Sequence, residues 1–447
     1  YGDHRDLHSF PTRRSPISPR LNAMTRFLYE LEVAYYEEIT AHLRGLGLKC
    51  LITGTNQDFS NASNRANAAC QAMTRNNYWC HPNVHAKPFN FFRNLAMLSG
   101  DIFRSATPVA SVASSTVVGK PMIVPEVNSP WPNEFRAEFM PMTMAYAALQ
   151  EWDGVLLFAY ETRTDQKLLT YFGNTSDPVH WGQVPLSALL FHRGDIAPAH
   201  NTIEIGVSAV DTFATRPRRS SDAYSPYHIV PYISKLRNAY FDDVYQGEAD
   251  LVLSSGHSAT GDYRQARRAV LFADSAATDE AGTRFDRGLS ARNAIPGLET
   301  KDNPAGLTTF VPASIPAGAQ TMVHEGEPVG VVTDRFYLLP SAAQIEPGQG
   351  RWLHRVLLDA LNRWQLPGAA PLDEAGEIYR SDTGQLVIDS RQRQFTANAP
   401  RLRCVAGFFA DTPVQLGDLA IVSRTPFAAI SAIVLDEIGR ASCRERV

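Results

Sequence analysis

One stretch of the chain places a carboxylate and an aromatic residue directly after an apolar run. Pro121 to Glu138 reads PMIVPEVNSPWPNEFRAE, so the apolar run ends at Glu126 and Trp131 follows five residues later. Enzymes with parallel strands commonly place catalytic carboxylates at strand ends. A flat indole ring can stack on the apolar face of a sugar. From residue types alone, Glu126 is either catalytic or a structural residue of a loop, and both interpretations stay open.

Two asparagines are further candidates for substrate contacts. Asn56 follows the short apolar run from Lys49 to Thr53, after Gly54 and Thr55. Asn128 lies two residues after Glu126. Asn56 either contacts substrate or forms a turn. Asn128 either orients Glu126 or shapes the loop that follows.

Other nucleophile and metal patterns are weaker. Gly256-His-Ser258 follows an apolar run but misses the G-x-S-x-G spacing of a serine esterase by one residue. No ordered Asp and His partners accompany Ser258, so an esterase is only an alternative. The histidines form no HExxH set and the cysteines no CxxC pair. We therefore expect neither a metal nor a cofactor.

The elements that position these residues alternate between helices and short apolar strands. The pattern predicts helices at 26–46, 89–104, 135–152 and 186–191, and strands at 49–53, 76–79, 120–126 and 154–160. Such alternation predicts a parallel sheet with crossover helices. Four strands with polar ends suit half of a (β/α)8 barrel, although a doubly wound sheet fits the alternation equally well.

The pattern changes after about residue 200. Ile203 to Val210 alternates as a strand with one exposed face would, Leu236 to Gln246 predicts a helix, and Ala249 to Ser255 predicts a buried strand. Further strands are predicted within Gln320 to Leu338 and a helix over Arg351 to Trp364. From residue 378 to 434, short strands alternate with turn residues, which is typical of a small β-sandwich.

Bulk composition excludes some classes of partner. The formal net charge is −4, which argues against nucleic acid as a partner. No apolar run reaches the roughly 18 residues of a membrane span, so we expect no membrane partner. Free thiols are the expected state of the four cysteines before residue 438, with one disulfide among Cys50, Cys70 and Cys80 left open.

The stretch around Glu126 resembles the seventh strand of clan A retaining glycoside hydrolases, especially family 5-like cellulases and β-galactosidases. Asn77-Tyr-Trp-Cys-His-Pro82 is similar to the sixth strand of the same proteins, and Phe158-Ala-Tyr160 to the end of the eighth. The resemblance implies that Glu126 is the nucleophile, that Tyr78 donates a hydrogen bond to it, and that His81 lines the pocket. It also implies sugar contacts by Tyr160 and a carbohydrate substrate.

A retaining mechanism needs a second carboxyl group about 5 to 5.5 Å from the first. In the family this glutamate follows an asparagine at the end of the fourth strand, which would precede the helix that begins near Arg26. Asn133-Glu134 is the only Asn-Glu pair in the chain. It follows Glu126 at the start of a helix, where we expect Asn133 to act as a cap. The chain is therefore expected to be inactive or nearly so.

Both ends of the sequence look foreign to the rest. Tyr1 to Ser15, YGDHRDLHSFPTRRS, and Ile438 to Val447, IGRASCRERV, match translations of complementary ends of a common sequencing adapter. Pro16 and Ile17 follow from the same adapter with one base dropped.

The sequence therefore predicts five segments. They are adapter-derived residues at 1–17, the barrel half with strands five to eight at 18–200, a mixed α/β segment at 201–375, a β-sandwich at 376–437 and adapter-derived residues at 438–447. We expect an extracellular or periplasmic location for the parent enzyme. A carbohydrate-binding protein with a degenerate barrel is the remaining alternative.

Overall fold

The fold is mixed α/β with several separate sheets, as the sequence predicts. The computed structural model describes residues 19–56, 60–79, 108–133, 135–161, 169–213, 227–254, 263–274, 276–278, 284–286, 295–302, 308–324, 326–341, 350–368, 372 and 378–435.

The first sheet consists of parallel strands whose ends carry the candidate residues. Its strands are β1 (Met73–Thr74), β2 (Asn77–Tyr78), β3 (Met122–Asn128) and β4 (Gly154–Leu157). β1 and β2 pair with one side of β3, β4 pairs with the other, and Thr53 adds a parallel bridge to Ala72. Chain order thus matches spatial order across the sheet. Among the described residues these strands do not close into a barrel.

Helices cover this sheet unevenly. They are α1 (Pro19–Gly45), α2 (Asn61–Asn67), α3 (Pro108–Ala113), a 3-10 turn (Arg136–Glu138), α4 (Phe139–Leu149) and α5 (Pro178–Arg193). Helix α4 is buried on almost every side, whereas α1 leaves a row of apolar side chains exposed: Met24, Phe27, Leu28, Leu31 and Tyr35. Leu51, predicted to lie in a buried strand, is also exposed. Its segment is not a regular strand, because among the described residues it forms one isolated β-bridge, at Thr53.

The next elements form a seven-stranded mixed sheet and two small hairpins. They are α6 (Ala209–Phe213), 3-10 turns (Val230–Tyr232 and Pro312–Ser314), α7 (Gly350–Arg363), β5 (Thr202–Ser208), β6 (Lys235–Phe241), β7 (Leu251–Ser254), β8 (Ala269–Asp274), β9 (Ala276–Thr278), β10 (Arg284–Asp286), β11 (Thr300–Asp302), β12 (Thr308–Phe310), β13 (Gln320–His324), β14 (Glu327–Val332) and β15 (Phe336–Ser341). The large sheet has the order β13-β14-β15-β8-β7-β5-β6. Its last five strands are parallel.

Two predictions fail in this sheet. The segment predicted to be a helix from Leu236 is strand β6, paired in parallel with β5 along its whole length. Strand β5, predicted to have one exposed face, is buried at every position from Ile203 to Ser208. Strand β6 forms because its pairing with β5 overrides the local helical spacing, whereas β5 is buried because it lies between two parallel strands and is covered on both faces.

The C-terminal part is antiparallel, with short strands close to the predicted positions. It contains β16 (Ile378–Arg380), β17 (Leu386–Asp389), β18 (Gln394–Ala399), β19 (Leu402–Gly407), β20 (Val414–Leu416), β21 (Leu419–Ile421) and β22 (Ala428–Ile433). β16 to β19 and β22 form one sheet and β20–β21 a hairpin. One face of the sheet packs on α4, where Phe395 lies 5.9 Å from Tyr146 between ring centroids. On the other face Val405 and Phe409 pack with Leu416 and Ile421.

A buried carboxylate joins this last sheet to the rest. Asp382, in the turn between β16 and β17, is 4% exposed. It accepts hydrogen bonds from the backbone N–H groups of His200 and Asn201 and from the Ser234 hydroxyl, at 2.9 to 3.1 Å. The amide of Gln385 accepts one more from the Ala197 N–H at 2.7 Å. These bonds fix the C-terminal sheet against the start of β5 and β6.

Within the described ranges, no helix has the length and apolar content needed to cross a membrane. Cys50, Cys70 and Cys404 are free thiols, the first exposed and the other two buried.

Candidate active site around Glu126

Glu126 and Tyr78 meet at the carboxyl ends of two adjacent strands. Parallel pairing sets Tyr78 beside Asn128 and Asn77 beside Val127. The Tyr78 hydroxyl donates a hydrogen bond of 2.5 Å to Oε2 of Glu126. Burial, reinforced by this bond to a carboxylate, raises the pKa of Tyr78 well above its ordinary value. Tyr78 therefore stays protonated near neutral pH and acts as a donor, leaving the other oxygen of Glu126 for a different partner.

Aromatic rings enclose this pair on one side. The ring centroid of Tyr78 lies 6.2 Å from that of Phe158 and 5.6 Å from that of Phe172. Phe158 and Phe172 lie 5.5 Å apart, and all three pairs meet edge to face. A partly apolar wall of Phe158 and Phe172 thus lies against the ring of Tyr78.

Asn128 connects the end of β3 to the segments after β4. Its Nδ2 donates to the carbonyl oxygens of Phe158 at 2.5 Å and Phe172 at 3.3 Å. The side chain is buried, and its Oδ1 has no hydrogen-bond partner in the part of the chain that the structure describes. These contacts hold the aromatic wall in place, which is the loop-shaping alternative for Asn128.

The other predicted site residues lie after the strands of the first sheet or outside the described residues. Asn56 is half-buried three residues after the β-bridge at Thr53, and its carbonyl accepts a bond of 2.9 Å from the Asn76 N–H. Trp131 is half-buried in the turn after β3, and Tyr160, after β4, is 72% exposed. His81, together with Glu134 and Ser258, lies outside the described residues.

Asn133 stabilises the loop after β3. Its Oδ1 accepts a bond of 2.8 Å from the Phe135 N–H, and its Nδ2 donates to the Ser129 hydroxyl at 3.2 Å. The side chain is buried. This geometry is an Asx turn in the loop before the 3-10 turn Arg136–Glu138. Phe135 is the residue that begins that turn, and it makes no side-chain cap, so the predicted role of Asn133 as a helix cap is wrong.

The start of α5 adds residues that the sequence analysis missed. Asp177 caps the helix by accepting from the Val179 N–H at 2.9 Å, and it binds Arg136 through both carboxylate oxygens. His180 and Trp181 follow in the first turn, with His180 buried and Trp181 exposed. The Asp-Pro pair at 177–178 is a helix-start signal that would have placed both residues at this end of the sheet.

No sequence pattern predicts the position of Phe172, because its contact with Tyr78 depends on the path of the loop that contains it. Among the described residues, no group of three or more His, Cys, Asp or Glu side chains is arranged to hold a metal ion.

Comparisons with known proteins identify no family for this chain. No protein-family model matches it, and no curated protein matches it at a significant level. Among solved structures it is similar to α-L-fucosidase isoenzyme 2 from Paenibacillus thiaminolyticus, with a TM-score of 0.34 and 9% sequence identity. The similarity covers 71% of this chain and 54% of the fucosidase, so the chain spans about half the length of that protein. A similarity of this size does not assign the chain to a family.

Proposed function

We propose that this chain is the nucleophile-bearing part of a retaining β-glycosidase. One observation carries the proposal: the Tyr78 hydroxyl donates to Oε2 of Glu126 at the carboxyl ends of neighbouring parallel strands. A tyrosine donor holds a carboxylate in one orientation. The aromatic wall of Phe158 and Phe172 beside Tyr78 suits the apolar face of a pyranose.

The proposed reaction is a double displacement. The free oxygen of Glu126 attacks the anomeric carbon, the bond to the leaving oxygen breaks, and a second carboxyl group donates a proton to that oxygen. Water deprotonated by the same second group then hydrolyses the glycosyl ester and releases Glu126. Trp131, Tyr160, Asn56 and His81 are proposed to contact the carbohydrate substrate.

The second carboxyl group is proposed to lie in the fourth strand of a complete barrel. By itself the chain would then hydrolyse ordinary glycosides very slowly, because an alkoxide leaving group needs protonation. A fluoride leaving group needs far less help. Activated fluorides can therefore report on the nucleophile in the chain as it stands.

The test is covalent labelling of the purified chain with 2-deoxy-2-fluoro-β-glycosyl fluorides of the gluco, manno, galacto and xylo series. The fluorine at carbon 2 slows both the formation and the hydrolysis of the glycosyl ester. The fluoride leaving group restores the rate of formation alone, so the ester accumulates. Peptide mapping by mass spectrometry then locates the label. We expect one sugar to label Glu126, and the Glu126→Gln variant to take up no label.

Glu151→Gln is the matched control, because Glu151 is an exposed glutamate at the opposite end of β4. It should be labelled at the same rate as the parent chain. A label on any other residue, or no label from any of the four sugars in a chain with a native circular dichroism spectrum, would reject Glu126 as the nucleophile.

A further inference from the structure

Two exposed aromatic side chains form a corner at the same edge of the first sheet as Glu126. Tyr160 is 72% exposed and Trp181 45% exposed. Their ring centroids lie 5.9 Å apart with an interplanar angle of 77°. One ring therefore offers a flat face, and the plane of the other ring lies nearly perpendicular to it.

Hydrogen bonds hold the two sides of the corner together. The Ala159 N–H donates to the Phe172 carbonyl at 2.8 Å, and the Thr175 N–H donates to the Tyr160 carbonyl at 3.2 Å. The Asn174 side chain adds a bond of 2.7 Å to the Ala159 carbonyl. The segment that carries Tyr160 is thus fixed to the loop that leads into α5.

The first turn of α5 fixes Trp181 in the same way. Its N–H donates to the Asp177 carbonyl at 2.9 Å, and the Asp177 carboxylate both caps the helix and pairs with Arg136. The backbone that carries both rings is therefore held in place before any ligand arrives, which lowers the entropy cost of binding.

The polar tips of both rings are open. Within the described ranges, neither the Tyr160 hydroxyl nor the Trp181 indole N–H has a hydrogen-bond partner. A sugar ring has an apolar face that stacks on an aromatic plane and hydroxyl groups at its edge that pair with such tips. The two perpendicular rings, with the Tyr160 hydroxyl and the Trp181 indole N–H at their edges, suit the binding of one pyranose unit.

The corner is joined to the Glu126 site through neighbouring residues. Tyr160 follows Phe158 by two residues, and Phe158 contacts Tyr78, which binds Glu126. We infer that Tyr160 and Trp181 form an outer subsite that binds a pyranose unit of an oligosaccharide chain extending from the Glu126 site. This inference rests on the proposed glycosidase function, because that function supplies the oligosaccharide.

The test is isothermal titration of the purified chain with cellohexaose, mannohexaose, xylohexaose and β-1,4-galactohexaose. We expect at least one hexaose to bind, with a Kd that rises roughly tenfold in Trp181→Ala and by about threefold in Tyr160→Ala. Trp181→Phe, which keeps an aromatic plane, should recover most of the affinity. Tyr35→Ala removes a similarly exposed tyrosine from α1 and should leave the Kd unchanged.

Two outcomes would overturn the subsite: no hexaose binds at millimolar concentration, or Trp181→Ala binds as tightly as the parent in spite of a native circular dichroism spectrum. Labelling and titration of the parent chain together separate this inference from the proposed function. Hexaose binding that weakens in Trp181→Ala, with no fluorosugar label on Glu126, would keep the subsite as a binding site and reject the nucleophile. A label on Glu126 without hexaose binding would do the reverse.

Discussion

Acid should destabilise this protein through one buried histidine. His180 is 2% exposed, its Nδ1 lies 2.8 Å from Oδ1 of Asn174, and its ring packs 5.4 Å from that of Phe139. Burial lowers the pKa of His180 from its ordinary 6.5 to about 4. The Asp177 charge and a hydrogen bond with the Arg136 backbone oppose this shift, and the Arg136 charge adds to it. The imidazole is therefore neutral in the folded chain at pH values where it is charged in the unfolded chain.

The sign and size of the effect follow from proton linkage. Between pH 6.5 and pH 4 the unfolded chain binds a proton at His180 that the folded chain does not, so the free energy of unfolding falls as the pH falls. The stabilisation is fully present above pH 6.5 and is lost by pH 4. A pKa difference of this size corresponds to about 2 kcal/mol between pH 7 and pH 5, and about 3 kcal/mol over the whole window.

Replacing the imidazole with a group that does not titrate should flatten this dependence. We expect His180→Phe to lose about 2 kcal/mol less than the parent chain between pH 7 and pH 5, measured by urea unfolding followed by tryptophan fluorescence. His192→Phe is the control, because His192 is exposed on the same helix and contacts water in both states. Equal losses in the parent and in His180→Phe would refute the argument, since His180 would then titrate alike in the folded and unfolded chains.

Two further predictions concern the site and the joined sheets. Tyr78→Phe removes the donor to Glu126 and should slow fluorosugar labelling about tenfold or more without moving the label. The reason is that one hydrogen bond to a charged group is worth about 1.5 to 3 kcal/mol. An unchanged labelling rate would show that the bond does not orient the carboxylate. Asp382→Ala leaves buried donors at Asn201 and Ser234 without their acceptor and should lower the free energy of unfolding by roughly 3 kcal/mol in urea titration. A loss below about 0.5 kcal/mol, the size of a surface substitution, would contradict the structural role assigned to Asp382.

Much of the fold was predictable where local pattern and tertiary environment agree. Strand β3 is an apolar run that ends at a polar tip, and helix α4 is a long apolar segment, so both were found close to their observed bounds. Strand β6 was missed because its sequence carries no β signal strong enough to outweigh helical spacing. Its parallel partner, β5, lies more than 30 residues earlier in the chain, so the pairing that decides the structure is absent from any local window.

The candidate site divides in the same way. Glu126 and Tyr78 were named from short motifs, and the register between β2 and β3 places them within hydrogen-bond distance. Phe172 could not be named, because its position depends on the path of a loop rather than on a repeating pattern. Strand order fixes which polar ends become neighbours, whereas loops decide which apolar surfaces surround them. The catalytic residues of such a site are therefore easier to predict from sequence than its substrate specificity, so the sugar must be found by labelling and titration.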